Sequence, residues 1–117
     1  MTAPKDPGGT PGDAVDADWT VVAADGDIDF YSAEEFGAKL DAVAGDGARH
    51  IVVDMSTAGF LDSSGLRVLL HTARELRESG GMLRLAAAPE QTLRVIDLAQ
   101  VGPLLPTFED VATAAGS

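Results

Sequence analysis

Cysteine is missing from all 117 positions, which excludes disulfide frameworks, thiolate metal sites and thiol catalysis. Basic residues are scarce: eight Lys and Arg stand against nineteen Asp and Glu, a formal charge of −11. Neutralising phosphates needs a basic stripe, so direct DNA or RNA binding is excluded. Aromatic residues make up 5% of the chain. The core must therefore come mainly from Val, Leu, Ile and Ala, with Trp19 and four Phe as the large pieces. No apolar run approaches the roughly 20 residues of a membrane-spanning helix, and the N-terminus lacks an apolar signal core. A cytoplasmic, unexported protein is expected. The length suits one domain and is too short for a two-domain enzyme.

The charge is uneven. Residues 1–48 hold Lys5 and Lys39 against eleven carboxylates, net −9, whereas residues 49–117 hold six Arg against eight, net −2. Residues 1–14 are rich in Pro and Gly with almost nothing to bury, and are expected to form a disordered tail ahead of a domain at 15–117.

Order is expected from Val15 to Trp19 onward. The apolar run from Trp19 to Ala24 reads as a short strand that ends at Asp25-Gly26. Ser32 occupies an N-cap position with Glu34 and Glu35 in the first helical turn, and Ala33, Phe36, Leu40 and Val43 follow at helical spacing. Gly45 and Gly47 end that helix. The β-branched run Ile51-Val52-Val53-Asp54-Met55 reads as a strand buried on both faces, and the segment with Gly59, Phe60 and Leu61 as a loop. Leu66, Leu69, Leu70, Ala73 and Leu76 mark an amphipathic helix stopped by Gly80-Gly81. Met82 to Ala87 is the next strand. A helix starting near Pro89 carries Leu93, Ile96 and Ala99, a short edge strand follows around Pro106, and Val111 to Ala115 add a terminal helix. Strand and helix alternating after residue 50 imply parallel pairing through right-handed crossovers. The fold class is α/β, with a mixed sheet of four to five strands and about four helices.

Asp25-Gly26-Asp27-Ile28-Asp29 alternates like the start of a calcium loop. Phe30 and Phe36 stand where such a loop needs Gly and Glu, so no metal site is expected, and an acidic turn is the simpler reading. Asp62-Ser63-Ser64-Gly65 precedes the amphipathic helix. A nucleophile elbow fails at Leu61, and the histidines, His50 and His71, lie outside triad placement, so no catalytic residue is assigned. Ser63 or Ser64 can serve as a helix cap, with Gly65 allowing close backbone approach. Alternatively, an exposed serine at a helix start can accept a phosphoryl group, which would meet free N–H groups and the positive helix end. Arg67, Arg74 and Arg77 form a basic helix face, with Arg74 and Glu78 spaced for an ion pair. Asp54 is expected to bond loop N–H groups at its strand end. Walker and Rossmann glycine patterns are both missing, so no nucleotide cofactor is expected.

The order of these pieces strongly resembles the STAS domain of bacterial anti-sigma factor antagonists. The resemblance rests on Ile51 to Ser56 followed by Phe60-Leu61-Asp62-Ser63-Ser64-Gly65-Leu66. Gly26 to Asp29, Gly80 to Leu85 and Leu98 to Leu105 follow in family order, across residues 15–114. It implies a non-enzymatic module that binds an anti-sigma factor serine kinase of histidine-kinase-like ATPase fold and thereby frees a sigma factor. Phosphorylation, on Ser63 here, would end that complex, and a metal-dependent serine phosphatase would reset it. Asp29, Asp62, Ser64, Gly65 and Leu66 would form the recognition surface. Arg67 stands where many members carry a small residue, and so would specialise it. The dense Asp25, Asp27, Asp29 group would favour a basic face on the partner. The alternative is a STAS accessory subunit of a signalling scaffold or lipid-transport complex, never phosphorylated, with the serine serving only as a cap.

Overall fold

In a computed structural model that describes residues 18–116, the chain runs β1 (Trp19–Ala23), β2 (Gly26–Ile28), α1 (Ala33–Gly45), β3 (His50–Asp54), β4 (Ala58–Leu61), α2 (Ser63–Glu78), β5 (Met82–Ala86), α3 (Glu90–Ala99), β6 (Thr107–Phe108) and α4 (Val111–Gly116). The expected tail at 1–14 lies outside the described residues.

Four strands form one sheet in the order β1-β3-β5-β6. Trp19 is in register with His50, His50 with Met82, and Leu85 with Thr107. Each step across this sheet is a crossover through a helix, and a crossover returns the chain in the same direction. The expectation of a mixed sheet is thereby refined: every described pairing is parallel.

Advancing strand by strand in one direction keeps α1, α2 and α3 on one face. There Phe36, Leu40, Leu69, Ala73, Leu76 and Ile96 pack on Val22, Ile51, Val53, Leu83 and Leu85. The strand period of two sends Val52 and Ala86 to the opposite face, where Ala114 and Ala115 of α4 cover them, with Trp19, Phe108 and Val111 at the margin. Arg84 also points to that face. Its guanidinium lies 4.4 Å from the Trp19 ring centre and 5.0 Å from that of Phe108, and Nη1 donates to Ala114 O at 2.6 Å. Stacking and a carbonyl acceptor are what let a cation sit within a parallel strand.

Two segments read as turn and loop are strands. Gly26–Ile28 and Ala58–Leu61 pair in parallel as a separate two-stranded ladder, with Gly26 opposite Ala58 and Ile28 opposite Leu61. The register slips between those pairs, and there Asp27 Oδ1 accepts the Phe60 N–H at 2.8 Å. Three and four residues, one a glycine in each, carry too little periodicity to be read as strands. Burial of Ile28 and Leu61 decides the matter. Elsewhere the expected elements form within a residue or two of their expected limits.

Candidate functional site

The strands are parallel, so their carboxyl ends open onto one edge of the domain, the usual place for recognition in α/β folds. The loop between β2 and α1 and the start of α2 meet at that edge, and Asp62 joins them. As N-cap of α2, Asp62 accepts from Ser64 N at 2.8 Å and Gly65 N at 3.1 Å through Oδ1. Its other oxygen, Oδ2, accepts from Phe30 N at 3.1 Å. One carboxylate therefore satisfies two orphan N–H groups of the helix and anchors the neighbouring loop.

Ser63 follows immediately, exposed on the first turn of α2. Among the described residues its hydroxyl has no hydrogen-bond partner. Asp62 is the cap, so the reading of Ser63 or Ser64 as cap is corrected. The expectation that a phosphate on Ser63 would find free N–H groups is narrowed: those of Ser64 and Gly65 already serve Asp62, and Leu66 N bonds to Asp62 O at 2.9 Å, which leaves the N–H of Ser63 itself.

The remaining expected site residues divide by depth. Arg67 is exposed one turn beyond Ser63, and Ser64 is half-buried. Gly65 is buried. A Cβ there would meet Ile28 O at 2.4 Å and Leu61 Cδ1 at 2.6 Å, so Gly65 lies beneath the expected recognition surface. Leu66 is half-buried against the main core.

Asp29 organises the loop from within. Its Oδ1 accepts from Tyr31 N at 3.0 Å and Ser32 N at 3.1 Å, while its own N–H donates to Ser32 Oγ at 3.0 Å. Ser32 precedes α1 as expected but does not cap it with its side chain. Its hydroxyl donates to Asp27 O at 2.7 Å. The acidic cluster is thus largely engaged locally. Asp25 bonds the Thr57 hydroxyl, Asp27 holds Phe60 N, and Asp54 accepts from Ser56 N at 3.0 Å, as its strand-end position suggested.

Two features escape a reading of sequence. Phe30, Tyr31 and Phe60 are 74%, 90% and 55% exposed, and the Phe30 and Tyr31 rings meet edge to face at 5.5 Å. Tyr31, Glu34, Ser64 and Arg67 line a shallow recess between the starts of α1 and α2. The signal available was two adjacent aromatics between an acidic segment and a helix start in a chain with few aromatics. The second feature is Gln91, whose side-chain amide bonds both the N–H and the C=O of Leu61. Nothing in the pattern around Gln91 announces this.

Triad chemistry has no geometry here. His50 sits at the opposite end of β3 with its ring against Trp19, and His71 lies two turns along α2, 3.4 Å from Glu75. The expected Arg74–Glu78 contact does not form, and the neighbouring Arg77 donates to Pro103 O at 2.6 Å. No cluster of three metal-ligating side chains occurs among the described residues. No helix among them is long and apolar enough to cross a membrane.

A serine-bearing helix start beside a parallel sheet is the arrangement of a known family. The STAS domain model matches residues 11–114, and the chain belongs to the STAS domain family. Its relatives there are anti-sigma factor antagonists, which are regulators and not enzymes. The anti-sigma-B factor antagonist of Bacillus subtilis is 33% identical over 73 residues, 62% of this chain and 66% of the relative. The crystal structure of an anti-sigma factor antagonist from Mycobacterium paratuberculosis superposes with a TM-score of 0.75 at 28% identity, covering 87% of this chain and 89% of that one. The Bacillus cell fate determinant SpoIIAA, solved in its phosphorylated form, matches with a TM-score of 0.63 at 25% identity, over 81% and 86% of the two chains.

Proposed function

We propose that this chain is a phosphorylation-controlled anti-sigma factor antagonist. Unphosphorylated, it binds an anti-sigma factor serine kinase of histidine-kinase-like ATPase fold and releases the sigma factor. The kinase then transfers the γ-phosphoryl group of ATP to Ser63 Oγ, with loss of the hydroxyl proton and departure of ADP, and the complex ends. A serine phosphatase hydrolyses the phosphoserine and restores the binding form. The setting is the cytoplasm, where such a kinase would meet ATP.

The observation that carries this reading is Ser63 itself: an exposed hydroxyl with no partner among the described residues, at a recognition edge, on a helix start already capped by its neighbour. A serine used as a cap would be occupied, and this one is not. Phe30, Tyr31 and Arg67 supply what protein interfaces favour, rigid aromatic area and a guanidinium. The charge of −11 favours a basic face on the partner. Phosphorylation adds roughly −1.5 to −2 charges at the centre of that contact, where repulsion and desolvation oppose binding most.

The test is phosphosite mapping with a candidate kinase and ATP, together with complex stability for wild type and Ser63→Ala. Wild type should be modified at Ser63 and dissociate, while Ser63→Ala stays bound with ATP present. Equal phosphorylation of the two would overturn the assignment.

A further inference from the structure

Phosphorylating Ser63 places a dianion at a helix start where most of the backbone donors are already taken. The Asp62 carboxylate holds the Ser64 and Gly65 N–H groups, so backbone donors that usually cradle a phosphate at such a position are engaged. The nearby charged and titratable groups are mostly acidic. Asp62 is adjacent in sequence, Asp29 and Tyr31 belong to the facing loop, and Glu34 projects from the first turn of α1 into the shared recess. The cation in this setting is Arg67.

Arg67 lies four residues after Ser63 on the same helix, so the two side chains share one face about 5–6 Å apart at Cβ. Helical side chains lean toward the N-terminus, which puts Ser63 within reach of the guanidinium. Arg67 is exposed and makes no hydrogen bond or ion pair among the described residues, so nothing must be broken to engage it. The next titratable group along this face, His71, is occupied with Glu75.

We infer that Arg67 is the internal counter-ion of phospho-Ser63: once Ser63 is modified, its phosphate and the guanidinium close an i,i+4 bridge along the first turns of α2. The inference rests on the reading of Ser63 as phosphoacceptor and adds a second action to the phosphate. Besides bringing negative charge to the edge, it withdraws an arginine from the surface offered to the partner. Guanidinium suits this role because its planar donors can engage two phosphate oxygens together.

The experiment uses the full chain with phosphoserine installed genetically at position 63, so that no kinase is required. Phosphorus NMR then follows the phosphate's second ionisation in three backgrounds: Arg67 retained, Arg67→Ala and Arg67→Lys. The bridge favours the dianion, so the midpoint with Arg67 should lie about 0.3 pH unit or more below that of Arg67→Ala, with Arg67→Lys between them. Arg74→Ala, two turns further along, should leave the midpoint unchanged. Coincident titrations with Arg67 and with Arg67→Ala would overturn the inference. Kinase mapping separates the two readings: a shifted midpoint with no enzymatic modification of Ser63 removes the proposed function and leaves the bridge intact, whereas modification of Ser63 with coincident midpoints does the reverse.

Discussion

Gln91, on the first turn of α3, treats the Leu61 peptide as a neighbouring strand would. Its Oε1 accepts Leu61 N–H at 2.9 Å, and its Nε2 donates to Leu61 O at 2.7 Å. Leu61 is the last residue of β4 and is fully buried, and among the described residues the outer edge of that strand has no strand partner. A single amide thereby closes the edge one residue before Asp62. It ties α3 to the turn that presents Ser63.

Gln91→Ala should leave both Leu61 backbone groups without these partners and lower stability by about 1–3 kcal/mol. Gln91→Glu keeps an acceptor for Leu61 N but sets a carboxylate against Leu61 O, so it should not rescue. Urea denaturation measures the loss. Faster amide exchange at Leu61, with other core amides less affected, would locate it.

Gly65→Ala tests the close approach beneath the recognition edge. The new methyl has backbone on one side, Ile28 O, and a packed side chain on the other, Leu61, so relief requires α2 to lift. A destabilisation of about 1–3 kcal/mol is expected. A neutral effect on thermal unfolding would show that the start of α2 yields easily.

The exposed aromatic pair and Asp29 should separate binding from folding. Phe30→Ala and Tyr31→Ala remove little buried area, so stability should change by less than about 0.5 kcal/mol, while affinity for the kinase falls at least about tenfold. Asp29→Ala removes the acceptor of two loop N–H groups and should also lower stability, by about 1 kcal/mol. Calorimetric titration beside thermal unfolding distinguishes these outcomes. Aromatic variants that bind as wild type would place the contact elsewhere.

Acid should loosen the start of α4. The Thr113 backbone N–H donates to Asp110 Oδ1 at 2.8 Å, and this bond, joined by the Thr113 side chain, holds the Asp110 carboxyl below its ordinary value of 3.8. A lowered folded-state value means that the cap's contribution is complete above 3.8 and is lost as pH falls through the folded value. Asp110→Asn should remove that low-pH step. Tryptophan fluorescence can follow it, because Trp19 lies at the margin of the face that α4 covers.

Much of this was legible in the residues themselves. The run at 51–53, the amphipathic period from Leu66 to Leu76 and the glycine stops report local preferences and burial on one stripe, which neighbours in sequence suffice to express. The D-S-S-G-L run was legible as a helix start for the same reason, since capping chemistry is local, and only the resemblance to the STAS family implied a phosphoacceptor there. The ladder of Gly26–Ile28 with Ala58–Leu61 was hidden because each strand is too short to show a period. It exists only once Ile28 and Leu61 are buried together and Asp27 and Gln91 supply bonds from 33 and 30 residues away.

The same division holds for chemistry. The sequence alone determined a small acidic α/β domain without thiols and with a serine at a helix start, since composition and short-range pattern carry that much, while its regulatory role was implied only by the resemblance to the STAS family. Only the tertiary structure decided that Asp62 rather than a serine caps α2, that Gly65 is buried, that the aspartates bond nearby loop groups, and that Phe30 and Tyr31 stand out near the start of α2. Hydrogen-bond partners and exposure depend on what the folded chain brings within about 3 Å, and no spacing along a single strand of sequence encodes it.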